Sequence, residues 1–170
     1  TGWDYQRSVI PWQGGYLCTV ADQQVLWLKD GREDIREVSA SCLALAPNNK
    51  LALIRNPDSN GLPDVFGVYL QPKTSRIFLR NSRGKEELLL IDEKNITGIS
   101  YNEKGNKILL RVDTSWKETG YQSYQLKIYR PGGQLEKTVS GWAGADNIIP
   151  SGEGWLLGAC HRDSFCSERA

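Results

Sequence analysis

Along the chain, apolar and polar residues alternate in short runs instead of recurring every three to four positions. The runs are "YLCTVA", "QVLWLK", "CLALAP", "LALIRN", "DVFGVYLQ", "RIFLRN", "ELLLID", "GISYNE", "KILLRVD", "SYQLKIYR", "LEKTVS" and "GWLLGAC". Runs of this length, alternating or fully apolar and bounded by Gly, Asn, Asp and Pro, predict β-strands. Turn residues separate them: "KDG" at 29–31, "PNNK" at 47–50, "EKGNK" at 103–107, "PGG" at 131–133 and "SGEG" at 151–154. Asn, Asp and Gly tolerate the left-handed backbone that tight hairpins require. One segment, "GREDIREVS" at 31–39, suits a short helix or a charged edge strand equally, and the sequence leaves both open.

When the turns are aligned, a degenerate repeat emerges. "LALAPNNKLALIR" (43–55) and "ISYNEKGNKILLRV" (99–112) share alternating apolar residues, an Asn/Gly turn and a dense apolar strand. "IPWQGGYLCTV" (10–20) and "NIIPSGEGWLLGAC" (147–160) repeat the plan more loosely. A second hairpin follows each of the first three units, for example "YQLKIYRPGGQLEKTVS" at 124–140. Two successive hairpins make one four-stranded propeller blade. The expected fold is therefore all-β: one propeller-like domain over residues 1–170, built from three to four small antiparallel sheets. The fourth unit is short, and residues 1–9 are the candidate to supply its missing outer strand and close the ring. An open stack of sheets is the alternative.

The quoted repeat, "ISYNEKGNKILLRV" followed by "LKIYRPGGQLEKTV", resembles that of TolB-type and WD-repeat propellers, although the WD dipeptide is missing. The resemblance implies fold and says little about activity.

Charge narrows the partners. The chain has 21 Lys and Arg against 20 Asp and Glu, with no long block of one sign. Nucleic-acid binding needs clustered cations, so none is expected. The longest apolar run, "LLLI" at 88–91, is too short to span a bilayer. No methionine occurs, so the chain is expected to be a processed or excised form. Four cysteines make an even set, which favours an oxidising compartment, the periplasm or the extracellular space. "NIT" at 95–97 is a glycosylation sequon that matters only in a eukaryotic secretory host.

The ending "CHRDSFC" holds the only histidine, His161, between Cys160 and Cys166. Zinc needs four ligands, and adjacent strand residues point to opposite faces, so Cys160 and His161 make a poor metal or nucleophile pair. A Cys160–Cys166 disulfide is the simplest use of the stretch. Cys18–Cys42 is then the second bond, each pair lying within one sheet or between neighbours. Motifs for hydrolase, zinc-protease, Walker and dinucleotide chemistry are missing, so no enzyme activity and no cofactor are expected. "NPDSNGLPD" at 56–64 places Asn56, Asp58, Asn60 and Gly61 as in a calcium loop. The acid expected at the twelfth position is replaced by Gly67, which favours an Asx-rich surface loop.

The other long loop, "DTSWKETGYQSY" at 113–124, carries Trp116, Tyr121 and Tyr124. Exposed aromatics on an anchored loop are typical interface residues, whereas a Trp116 folded back onto the sheet is simply core.

Over residues 96–168 the order of strand, "EKGNK" turn, strand, Ser-containing loop, "IYRPGGQLEKTVSG" hairpin and Cys-closed end is similar to a known family. That family comprises the periplasmic immunity proteins that neutralise type VI secretion peptidoglycan-amidase effectors. The resemblance implies a protein partner, the toxin, whose active site is occluded by loop 113–121. Thr114, Ser115 and Trp116 would form the tip, with Lys117 and Tyr121 beside it. It implies a monomer or small homo-oligomer. A non-inhibitory scaffold binding protein or peptidoglycan is the alternative.

Overall fold

The computed structural model describes residues 8–19, 24–55, 74–114, 124–139 and 147–158. Among these there are fourteen strands. The first sheet holds β1 (Val9–Trp12), β2 (Gly15–Thr19), β3 (Gln24–Lys29) and β4 (Arg32–Ser39). The second holds β5 (Cys42–Ala46), β6 (Lys50–Arg55), β7 (Thr74–Arg80) and β8 (Glu86–Lys94). The third holds β9 (Ile96–Tyr101), β10 (Ile108–Asp113), β11 (Tyr124–Tyr129) and β12 (Leu135–Val139). A terminal hairpin pairs β13 (Asn147–Ser151) with β14 (Gly154–Gly158). Every sheet is an antiparallel meander in chain order. The all-β, propeller-like array of small sheets expected from the repeat is the architecture observed.

Why these strands pair as they do follows from their turns. The β1–β2, β3–β4 and β5–β6 turns each place two successive residues in the left-handed region: Gln13 and Gly14, Asp30 and Gly31, Asn48 and Asn49. That geometry matches the right-handed twist of the flanking strands. Two longer turns, β7–β8 and β9–β10, use an Asn side chain instead. Asn81 Oδ1 accepts from the amides of Arg83 and Lys85, and Asn102 Oδ1 accepts from those of Asn106 and Lys107.

Side-chain alternation then stacks the sheets. In the second sheet, Leu43, Leu51 and Leu53 turn toward the first sheet and pack with Leu17 and Val25. Residues one position away, Cys42, Ala44, Ala52 and Ile54, turn the other way and pack with Ile108, Leu110 and Val112 of the third sheet. The register pairs Leu43 with Leu53 and Ala44 with Ala52, so each pair shares a face. Burial on both faces explains why "LALI" at 51–54 is continuously apolar rather than alternating. Leu53 and Ile54 are wholly buried, and each contributes about 1.5–3 kcal/mol by removal from water.

The segment "GREDIREVS" is strand, not helix: β4 is the outer edge of the first sheet. Charge along such an edge deters pairing with other chains. Ser8 and Val9 belong to the first sheet and not to the fourth unit. Val9 pairs with Cys18, and the Ser8 carbonyl accepts from the Thr19 amide at 3.0 Å. Residues 1–7 and the expected strand "DVFGVYLQ" lie outside the described residues.

Candidate functional site

The opening strands β1, β5, β9 and β13 follow one another from sheet to sheet. Their first turns gather at one end of the stack. A Cβ on Gly105, in the β9–β10 turn, would run into Pro47 of the β5–β6 turn. The carboxylate of Glu103 accepts from the Gly152 amide at 2.7 Å, and Lys104 pairs with Glu153, joining the β9–β10 and β13–β14 turns.

At the opposite end lie the strand ends from which the sheet-to-sheet junctions and the β2–β3, β6–β7 and β10–β11 connections depart. Leu43 N donates to Ser8 Oγ at 3.1 Å, Ser41 N to Ile54 O at 2.7 Å, and Asp113 N to Asn95 O at 2.9 Å. Both long loops singled out from the sequence, at 56–64 and 113–121, therefore leave this one end. Each joins the second and third strands of its sheet.

Of the loop residues expected to grip a partner, only Thr114 is described. It is buried, 8% exposed, directly after β10, so it anchors the base of the loop instead of standing at its tip. Ser115, Trp116, Lys117 and Tyr121 lie outside the described residues, as does the 56–64 segment. Among the described residues, no group of three or more His, Cys, Asp or Glu converges as a metal site would.

The expected Cys18–Cys42 bond is a correction: both are free thiols. The cause is strand alternation. Gly15, Leu17 and Thr19 are the buried residues of β2, which turns the intervening Cys18 to the other side of the first sheet. Cys42 faces the third sheet in the core, where burial pushes its thiol up to about 11. Cys160 and Cys166 lie outside the described residues.

Sequence reasoning missed a cleft of about 180 Å³ between the first and second sheets. Its floor is Leu17, Val25, Leu43, Leu51 and Leu53, and its mouth carries Gln13, Arg80, Asn81 and Ser82. Beside the mouth, Arg55 makes a two-pronged contact with Glu86, at 2.7 and 2.8 Å, while its guanidinium lies 4.8 Å from the Phe78 ring. Arg80 donates to the same carboxylate at 2.9 Å. These contacts, chiefly that of Arg55, hold Glu86 down to about 2, so it stays ionised and fixes both cations. No sequence signal marks the cleft, because its floor comes from five residues on four separate strands.

A second polar cluster joins the second and third sheets. Lys127 Nζ and the Tyr129 hydroxyl both donate to Glu93 Oε1. Burial first, then Glu93, pushes the Tyr129 hydroxyl above the usual tyrosine range. In the third sheet, Arg111 is buried against the Tyr124 ring at 4.9 Å and donates to Thr97 Oγ1 at 3.1 Å.

No protein-family model matches the chain, and no curated protein matches its sequence. Among solved structures it is similar to the β-propeller domain of the Trilobed protease from Pyrococcus furiosus, described as having an open velcro topology. The identity is 14% and the TM-score 0.45, over 78% of this chain and 42% of that one. The chain thus spans less than half of that structure. The propeller-like architecture rests on the strand order and sheet stacking above, independently of that likeness.

Proposed function

We propose that this protein is a binding module that works without chemistry of its own, gripping a protein partner at the end of the stack where the long connections depart. In its narrower form it is a periplasmic immunity protein that occludes the active site of a secreted peptidoglycan amidase with loop 113–121. One observation supports the location. In two sheets the strand ends that flank residues 56–73 and 115–123, those of β6 and β7 and of β10 and β11, lie at the end opposite the short turns. Loops held by a rigid β scaffold bind with less ordering cost than free segments. Buried Thr114 and the Asp113–Asn95 hydrogen bond supply such an anchor at the base of the second connection.

The test is a pull-down of the cognate toxin from the source organism, with two double variants. S115A/W116A is expected to lose most of the captured partner while its circular dichroism stays that of the wild type. K104A/E153A, at the opposite end, is expected to retain it. Undiminished capture by S115A/W116A contradicts the loop assignment. Loss in both variants contradicts the choice of end.

A further inference from the structure

We propose that the outward faces of the first sheet and of the terminal hairpin are two halves of one more sheet-to-sheet interface, filled head to tail by a second copy of this chain. Within the chain every junction has the same sense: one face of a sheet packs on its predecessor and the other on its successor. Leu17 and Val25 of the first sheet meet Leu43, Leu51 and Leu53 of the second. Ala52 and Ile54 of the second meet Ile108 and Leu110 of the third. Trp155 of the terminal hairpin donates its indole N–H to Ser100 of the third sheet at 3.0 Å.

Among the described residues two sheet faces have no other sheet packed on them, and each carries exposed apolar side chains. On the hairpin, Ile149 and Leu156 are cross-strand partners, 57% and 62% exposed. Alternation turns this pair away from the face that carries Trp155 and hence away from the third sheet. On the first sheet, the side facing away from the second carries Val9 and Tyr16, 61% and 56% exposed. Val9 is in register with Cys18, and Cys18 with Leu26. In the next row Tyr16 lies between Pro11 and Leu28. These rows of β1, β2 and β3 hold no charged side chain.

In stacked-repeat proteins the end units normally carry polar outer faces, because each inner face is covered by a neighbour. Here each outer face instead exposes large apolar side chains, Ile149 and Leu156 between Asn147 and Ser151 on the hairpin and Val9 and Tyr16 on the first sheet, whose Tyr16 row ends in Glu33. The leftover successor face is the hairpin's, and the leftover predecessor face is the first sheet's. The interface that continues the internal pattern therefore joins unlike faces on two copies. Contacts between unlike faces close into rings or run on as filaments. A closed pair buries both leftover faces of both copies.

Light scattering after size exclusion tests this with Y16E and L156E, both at exposed positions, so that folding is retained and is checked by circular dichroism. The wild type is expected at twice the monomer mass or a higher multiple, and each variant at the monomer mass. Mixing the two variants is expected to restore a two-copy species, because one copy brings an intact first sheet and the other an intact hairpin. A monomeric wild type overturns the proposal, as does either variant keeping the wild-type mass. Two monomeric variants that fail to combine overturn its head-to-tail sense.

Discussion

Leu53→Ala is expected to lower the unfolding free energy by about 3–5 kcal/mol, the upper part of the range for burying and then deleting a leucine side chain. Leu53 is wholly buried on β6, a strand paired on both edges. It also forms part of the floor of the 180 Å³ cleft. A wall that already borders empty space has few atoms free to collapse into the new void, which puts the cost near the top of the range. Leu45 provides the contrast. It lies two residues from Leu43 on the same strand, yet is 41% exposed at the rim. Its replacement by Ala is expected to cost no more than about 0.5 kcal/mol, as for other surface changes. Urea unfolding of both variants measures the difference through the midpoint, with an unchanged slope. Equal losses would mean that the inner face of the second sheet is not packed against the first.

Gly133→Ala is the second large effect, expected at about 2–4 kcal/mol from left-handed backbone strain combined with overpacking. Gly133 has φ of +90°, a conformation that side-chain-bearing residues rarely adopt. A Cβ there would also run into the carbonyl oxygen of Leu90 on β8. The β11–β12 turn of the third sheet thus sits directly on the outer strand of the second, and only a glycine permits the approach. Gly31→Ala separates the two causes. Its φ is +72° and nothing lies within 4 Å of the added Cβ. That variant is expected to lose only the backbone share, about 1–2 kcal/mol. If both variants lose the same amount in thermal or urea unfolding, the close contact between the sheets is wrong.

The strand content, the turns and the repeat were legible because each is written in neighbouring residues. "PNNK" supplies left-handed Asn48 and Asn49, and "KDG" supplies Asp30 and Gly31. The dense apolar strand "LALI" at 51–54 was legible, but its burial on both faces shows only in the stacking of the sheets. Helix and edge strand could not be separated in "GREDIREVS", since that choice depends on β3 lying beside it. The Cys18–Cys42 pairing failed for a related reason. Sequence proximity of the two strands says nothing about which face each thiol takes, and here the faces differ. The cleft and the Arg55–Glu86–Arg80 cluster were invisible because folding alone joins their strands. Thr114 was placed at a loop tip by position from the family resemblance, while its burial comes from its place at the end of β10.

Native-state amide hydrogen exchange tests the stacking of the sheets most directly. β6 and β10 are each hydrogen-bonded on both edges and buried on both faces, whereas β4 and β12 are the outer strands of their sheets. Amides that open only with global unfolding belong to such central strands, and exposed edges exchange by local opening. The stack predicts the slowest exchange at Leu51–Ile54 and Leu109–Val112, with β4 and β12 orders of magnitude faster. Protection as strong in β4 and β12 as in β6 and β10 would contradict it.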